Sequence, residues 1–472
     1  MADPQPPTDV LVESARVNGA AAEATLSGGE LAWRPRDGGE ERRLELESEV
    51  VGCRVEGRKL KLVTFSSCGG DGEQPSPLAC GGGKGGGGGD GKTRRRRGEV
   101  AVEMESEDAA ARWGDALRDR LASFGRPKRL FIIVNPFGGK RSGRSIFQTE
   151  VLPLIEAAGI LYTMQETKHR LHGQEISHSL DLRKYDGIIC VSGDGVMVEV
   201  VNGLLQREDW ETAIKVLEME WHNLYCTRLG KTRFFSVLML TWGLVADVDI
   251  ESEKYRWMGS ARLEFYFLLR VLNLRRYNGR VLFVPAPGYE NVGDPVEAST
   301  SCESNGSNAG VDEAEANGSK GETCGYPGPS MEESDLHWRS LNGPFVSVWL
   351  GNVPFASEDA MAAPKAEFSD GYLDAAIIRD CPRWDVLGLM FQMKDGAYIE
   401  SPHVEYFKVK AIRIEPGLRV GSGKGGIIDS DGEVLARGDG SRADDEPEHL
   451  MSYGPPIQLT VDRGLATIFS PR

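Results

Sequence analysis

Tyr185-Asp186-Gly187-Ile188-Ile189-Cys190-Val191-Ser192-Gly193-Asp194-Gly195-Val196-Met197-Val198-Glu199-Val200-Val201-Asn202-Gly203 decides how this chain is read. The apolar run 188–191 has the length of a buried strand and stops abruptly at Ser192-Gly193-Asp194-Gly195, and from Val196 the pattern turns helical. Two glycines around one carboxylate at a strand-to-helix junction let backbone and ligand come close. They also aim a helix N-terminus at whatever binds there. An acid held beside a phosphate site is a candidate general base for phosphoryl transfer to a hydroxyl. The plainer reading of the same four residues is a turn whose Asp caps the helix.

A second glycine turn lies upstream. Leu130-Phe131-Ile132-Ile133-Val134-Asn135-Pro136-Phe137-Gly138-Gly139-Lys140 is a buried-type strand ending in Asn-Pro, and Ser142 and Arg144 lead into a helix. Backbone N–H groups at such a turn, with Lys140 beside them, suit nucleotide phosphates. Gly-Gly-Lys alone is common; two such turns one βαβ unit apart are far more specific. The spacing predicts strands over 129–134, 160–166 and 186–191, alternating with helices over about 145–158, 173–182 and 196–205. Alternation of this kind means a doubly wound α/β fold that binds ligands at the carboxyl ends of its parallel strands. Both glycine turns lie there.

Together these residues resemble the diacylglycerol-kinase-type lipid kinases. Trp242-Gly243-Leu244-Val245-Ala246-Asp247-Val248-Asp249-Ile250-Glu251-Ser252-Glu253-Lys254-Tyr255-Arg256-Trp257-Met258-Gly259-Ser260-Ala261-Arg262 is similar to the signature of their sphingosine (long-chain base) kinase branch. The resemblance covers roughly 128–287 and 340–470. It implies ATP and Mg²⁺ as cofactors and a sphingoid base as substrate, phosphorylated on its primary hydroxyl. By that resemblance Asn135, Pro136, Phe137, Gly139 and Lys140 form a first nucleotide loop. Thr167, Lys168, His169, Arg170 and Leu171 line the same pocket. Ser192, Gly193, Asp194 and Gly195 sit between nucleotide and lipid, with Asp194 as the base. Glu199 matches a further nucleotide contact, and Arg256 and Arg262 match phosphate-binding arginines, whose planar, permanently charged fork suits a triphosphate. Asp431, Gly432 and Glu433 resemble the Asp-Gly-Glu that returns to nucleotide and Mg²⁺. Asp249 matches the acid that holds the sphingoid head, and the chemistry agrees, since an ammonium and a carboxylate form a charge-assisted bond.

Composition is that of a large enzyme with room for two or three domains. The net charge of −16 is uneven: 288–336 holds eleven Asp/Glu and one Lys. Eight cysteines without CxxC or Cys/His spacing argue for reduced thiols, not disulfides or zinc, and no protein metal site is expected from the histidines. No nucleic-acid footprint is present. There is no basic-then-apolar leader, and the most apolar run, 234–246, is too short to span a bilayer. The expectation is a cytoplasmic chain that meets intracellular membranes peripherally, with the oligomeric state open.

Short alternating runs over 10–65, resuming at 99–104 and followed by a helical stretch over 109–124, suggest a small β-barrel of the pleckstrin-homology type for a first domain, 1–125. Its glycine-rich stretch 66–97 satisfies GxxxxGK[ST] at Gly86, Gly91, Lys92 and Thr93, but polyglycine precedes and four arginines follow, so it reads as a loop. The α/β catalytic domain is expected over 126–232. An antiparallel β-sandwich that binds lipid is expected over 233–472, interrupted by an acidic, aliphatic-poor insert, 288–336, that cannot bury enough surface to fold.

The pattern fails at one place. After Lys215 the family expects a strand, a Gly-Thr-Gly-Asn loop, a helix and another strand. The chain instead has 216–229, rejoins the pattern at Gly230, and contains no Gly-Thr-Gly-Asn. Two readings therefore stand: a sphingoid-base kinase, or a catalytically impaired variant that keeps the lipid-binding domain. Ceramide and diacylglycerol, rival acceptors within the kinases, lack the ammonium that Asp249 would pair with.

Overall fold

The computed structural model describes residues 10–68, 94–137, 142–192, 194–215, 221–229, 232–259, 261–296, 325–329, 337–357, 360–367, 369–440 and 451–467. Arg129–Val134, Leu161–Glu166 and Gly187–Val191 pair in parallel, with Arg129–Val134 in the middle. The middle strand is apolar on both faces because both are covered. Ile132 and Val134 pack on Phe147 and Ile155 of the helical stretch 143–157; Phe131 and Ile133 pack on Ile176, Val196 and Val200 on the other side. The chain leaves the middle strand to one side, then crosses back past it, so the connection reverses at Arg129–Val134. At that switch point the Asn135 N–H donates to the Val191 carbonyl at 3.0 Å, tying the two glycine turns together. The doubly wound arrangement is thus found. The first helix starts earlier than its expected 145, because at Gly143 a Cβ would lie 2.2 Å from the Asn135 carbonyl oxygen and only glycine lets the helix begin beneath that loop. The second runs His172–Ser179 and stops short of 182, where the backbone turns extended at Leu180.

Among the described residues no fourth strand extends this sheet beyond Gly187–Val191. Trp221–Leu229, which follows the break in the pattern, pairs instead with Thr232–Ser236 and Ile457–Thr467 in a separate antiparallel sheet. Among the described residues that second sheet has twelve strands, and its interior is built by Val281, Phe283, Val348, Leu350, Phe407 and Ile412. Its other face carries three helices, Leu244–Glu251, Ala261–Leu272 and Arg383–Gln392, packed on Val346, Trp349, Ala376 and Ile378. The strand-dominated C-terminal region expected from residue 233 on is found, and these helices, which the strand pattern did not single out, cover a sheet face too apolar to meet water.

The N-terminal region forms a seven-stranded antiparallel sheet closed off by the helix Glu107–Ser123. Ser106 caps that helix, its Oγ accepting the Ala109 N–H at 3.1 Å, and Trp113, Leu117 and Leu121 seal the core. The expected barrel is not closed. The edge strands Arg42–Glu45 and Val50–Glu56 are joined by the helical turn Leu46–Glu49 and do not pair, so the sheet stays open. Residues placed in loops by their composition are partly strand, since Lys59–Cys68 pairs with Arg94–Met104. The Gly86–Thr93 match lies outside the described residues.

Of the expected acidic insert 288–336, residues 288–296 and 325–329 are described and are built into the fold. Asp294–Pro295 pairs with Arg339–Ser340, and 325–329 docks beside the Trp221–Leu229 strand. There the Tyr326 ring lies 4.5 Å from that of Trp210, and its hydroxyl donates to Asp462 at 2.6 Å. Arg228 and Arg233 donate to the carbonyls of Pro327 and Tyr326, each at 2.7 Å. A staple of a different kind sits at the turn leading into Met239–Gly243. Asp431, in the left-handed region at φ 51°, accepts the N–H groups of Val237 (2.9 Å), Leu238 (3.1 Å) and Met239 (2.7 Å).

Two outcomes follow for stability. Asp431→Asn keeps one oxygen but turns an NH₂ toward backbone donors, and urea unfolding should show a loss of about 2 kcal/mol. Burial pushes the Asp462 carboxyl up to about 6, against the smaller opposing effect of the Tyr326 hydroxyl. Between its unfolded value of about 3.9 and that folded value the native state binds a proton that the unfolded chain has released, so this group's contribution falls as pH rises through the window. Asp462→Asn, which still accepts from Tyr326, should match wild type near pH 4 and be more stable by about 1–2 kcal/mol at pH 7, read from urea unfolding across pH.

Candidate active site

A cleft of about 2270 Å³ runs between the carboxyl ends of the parallel strands and the helix-covered face of the antiparallel sheet. At its first end Asn135 closes a turn, its Oδ1 accepting the Phe137 N–H at 2.9 Å, and Phe137 stands exposed on the rim. The next strand delivers Thr167, which is buried and whose N–H donates to the Val134 carbonyl at 2.9 Å. The loop that follows is held from several directions. The Lys168 N–H donates to His172 Nδ1 at 3.0 Å, and His169 faces Glu175 at 3.6 Å. Leu171 takes a left-handed conformation at φ 63°, and its N–H donates to Glu199 Oε1 at 3.0 Å, while the Gly173 N–H donates to Glu199 Oε2 at 2.8 Å. Burial pushes the Glu199 carboxyl up, and these two N–H groups oppose it. Glu199 therefore borders the cleft but positions the 167–171 loop. Arg170 reaches across to an ion pair with Glu433.

Ser192 follows its strand half-buried, the helix Asp194–Leu205 begins directly after the turn, and Gly195 borders the cleft. Gly139, Lys140 and Gly193 lie outside the described residues, as do the side chains of Asp194 and Arg256.

The middle of the cleft is set by one junction. Gly243 ends its strand at φ 96°, where a Cβ would lie 2.6 Å from the Val346 carbonyl oxygen, and the chain turns at once into Leu244–Glu251. Opposite sides of that helix do different work. Asp247 points inward, fully buried, and accepts from Arg275 Nη1 at 2.9 Å and from the Tyr277 hydroxyl. Burial raises its carboxyl and Arg275 opposes the rise. Glu251 accepts from Arg275 at 2.8 Å and from the Tyr266 hydroxyl at 2.7 Å; burial pushes its carboxyl up, but these bonds outweigh burial and hold it below its ordinary value. Asp249, half-buried, borders the cleft. Arg262 also borders it, paired with Glu253 at 2.5 Å and bonded to Ser252 Oγ at 3.1 Å.

All three residues of the Asp-Gly-Glu tripeptide border the cleft, and Glu433 meets Arg170 there. Gly432 completes the turn at φ 81°, and Asp431 is committed to the three backbone N–H groups described above. The residue the sequence reading missed is Asp429. It is buried, and burial first, then the charges of Asp249, Asp431 and Glu433, drive its carboxyl well above the ordinary range. The available signal was an acid placed directly after Ile427-Ile428 in a short strand. Beyond Asp249 the cleft turns apolar, bordered by Val245, Val248, Leu263, Phe267, Met390 and Met393.

A family model described as the diacylglycerol kinase catalytic domain matches residues 129–218, and one described as the YegS C-terminal NAD kinase beta sandwich-like domain matches 334–451. Sphingosine kinase 1 of Arabidopsis thaliana is 44% identical over 507 positions, covering 99% of this chain and 98% of the relative. With 472 residues in this chain, a few tens of those positions fall opposite gaps in it. Sphingosine kinase 1 of Homo sapiens is 31% identical over 66% of this chain and 87% of its own length, and the human ceramide kinase is 26% identical over 63% and 64%. The chain is a lipid kinase and belongs to the sphingosine kinase family of the diacylglycerol-kinase type.

Proposed function

We propose that the chain transfers the terminal phosphoryl group of ATP to the primary hydroxyl of a sphingoid long-chain base. The observation that carries this reading is the continuity of one cleft: nucleotide-type loops at one end, a half-buried carboxylate, Asp249, in the middle, and an apolar chamber beyond it. ATP lies along Asn135, Phe137 and the 167–171 loop. Asp194, at the start of its helix, takes the hydroxyl proton as the lipid oxygen bonds to the γ-phosphorus and the bond to ADP breaks. Asp249 pairs with the ammonium, which disfavours ceramide and diacylglycerol as acceptors. Mg²⁺, when bound, neutralises charge on the transferring phosphates. Glu433 is the carboxylate that would hold it, whereas Asp431 does not fit because its oxygens already accept three N–H groups.

Contact with a membrane is part of this reading. Among the described residues no helix is long and apolar enough to cross a bilayer. Phe265, Leu268 and Leu272 follow one another along one helix face and stay exposed, as do Trp257, Trp384 and Phe391, the last three 81%, 66% and 74% exposed. Exposed apolar side chains on helices whose Leu263, Phe267 and Met390 border the cleft suit a headgroup boundary. A second reading, weak turnover with retained lipid binding, is favoured by the absence among the described residues of a fourth strand to wall the nucleotide end.

Labelled ATP and sphingosine in a purified assay test the reaction itself. Asp194→Asn should abolish turnover while ATP binding stays nearly unchanged; near-normal turnover would remove Asp194 from the mechanism. Asp249→Asn should weaken binding of the amine lipid by about 2 kcal/mol relative to an uncharged analogue of the same length. Equal loss for both lipids would make Asp249 a structural acid.

A further inference from the structure

The strand Met239–Gly243 lies between Ile427–Ser430 and Phe345–Gly351, and its register sets Asp429, Thr241 and Trp349 directly beside one another. Residues opposed in antiparallel strands share a face, and all three border the cleft. The other face of the same strands, carried by Leu240, Trp242, Val348 and Leu350, is packed into the sheet interior. Each member of the row is more than nine-tenths buried, at 2%, 1% and 5% exposure. Each also has a polar atom without a hydrogen-bond partner: Asp429 Oδ1, Thr241 Oγ1 and Trp349 Nε1. Unmatched buried polar atoms are destabilising, so three in one row call for a ligand rather than a packing explanation.

The row has a direction. Asp429 sits at the carboxylate end, where Asp249 acts on it electrostatically, and Trp349 lies next to the apolar chamber. A base anchored by its ammonium at Asp249 lays the next part of its chain across this row. Asp429 then faces the head and the hydroxyl common to all sphingoid bases. Thr241 and Trp349, one and two strand spacings of about 4.8 Å further on, face the following carbons. The chemistry of the two suits a hydroxyl, which donates and accepts. Indole N–H only donates, whereas the threonine hydroxyl can accept from the ligand and pass its own proton toward Asp429 Oδ1.

We propose that Thr241 and Trp349 form a subsite for an additional hydroxyl on the sphingoid backbone, just beyond the amine-bearing head, so that the chain prefers a trihydroxy base. The inference rests on the sphingoid-base reading above. It is tested with the purified full-length chain by equilibrium binding of labelled 4-hydroxysphinganine and of sphinganine of the same length, both in nonionic detergent micelles. Wild type should bind the hydroxylated base about tenfold more tightly. Thr241→Val and Trp349→Phe should each bring that ratio close to one while sphinganine still binds, which shows that the variants are folded. Thr241→Ser should retain the preference. Equal binding of the two bases by wild type, or a preference that survives both substitutions, overturns this subsite and leaves the sphingoid reading standing. Binding of neither base overturns both.

Discussion

Asp431 is the point on which the arrangement of the molecule depends. Its two oxygens accept three consecutive N–H groups at 237–239, immediately before the strand Met239–Gly243. That strand is flanked by Phe345–Gly351 on one side and Ile427–Ser430 on the other. A slip of one residue would turn Thr241 into the interior and Trp242 into the cleft, since strand side chains alternate. The same strand ends at Gly243, whose backbone lies too close to Val346 for any Cβ, and feeds the helix that presents Asp247 inward and Asp249 to the cleft. A carboxylate that looks like part of a nucleotide motif therefore sets the register of the surface on which the lipid would lie.

Charge around the cleft follows the same division between anchoring and presenting. Asp247 and Glu251 hold Arg275 between them and fasten the helix to the sheet. Glu199 fastens the loop after the second parallel strand. Among the acids bordering the cleft are Asp249, Asp429 and Glu433, of which Glu433 meets Arg170. Asp249 is the carboxylate placed to meet a cationic lipid head, while the overall balance of −16 sits largely in 288–336 and says little about the site.

The parallel sheet was legible because local patterns decide it: 4–6-residue apolar runs, glycine turns and helical spacing all fall within one βαβ unit of each other. The helices on the second sheet were not, because Ala261–Leu272 and Arg383–Gln392 earn their place by covering Trp349 and Ile378, residues far away in the chain. Barrel closure at the N-terminus was equally illegible, since it turns on whether Arg42–Glu45 reaches Val50–Glu56 after one helical turn. In the site, Asn135, Thr167–Leu171, Glu199, Asp249 and Glu433 could be named from motifs and come together around one cleft. Asp429 could not, because its significance lies in being paired across strands with Thr241, and Asp431 could be named but not its backbone partners.

The Arg170–Glu433 pair joins a loop of the parallel sheet to a hairpin of the antiparallel one across more than half the chain. A contact of such sequence separation forms only after both sheets exist, because the loop-closure entropy has to be met before the contact returns anything. The Arg170–Glu433 contact is thus expected to form late in folding. It is not the sole junction of the two sheets: Val198, Val201 and Leu204 share a core with Cys226, Phe235 and Val237, and Asn202 exchanges hydrogen bonds with the Phe235 backbone. A ligand that touches both sides of the cleft adds a second tie to this shared core and favours the folded whole by mass action.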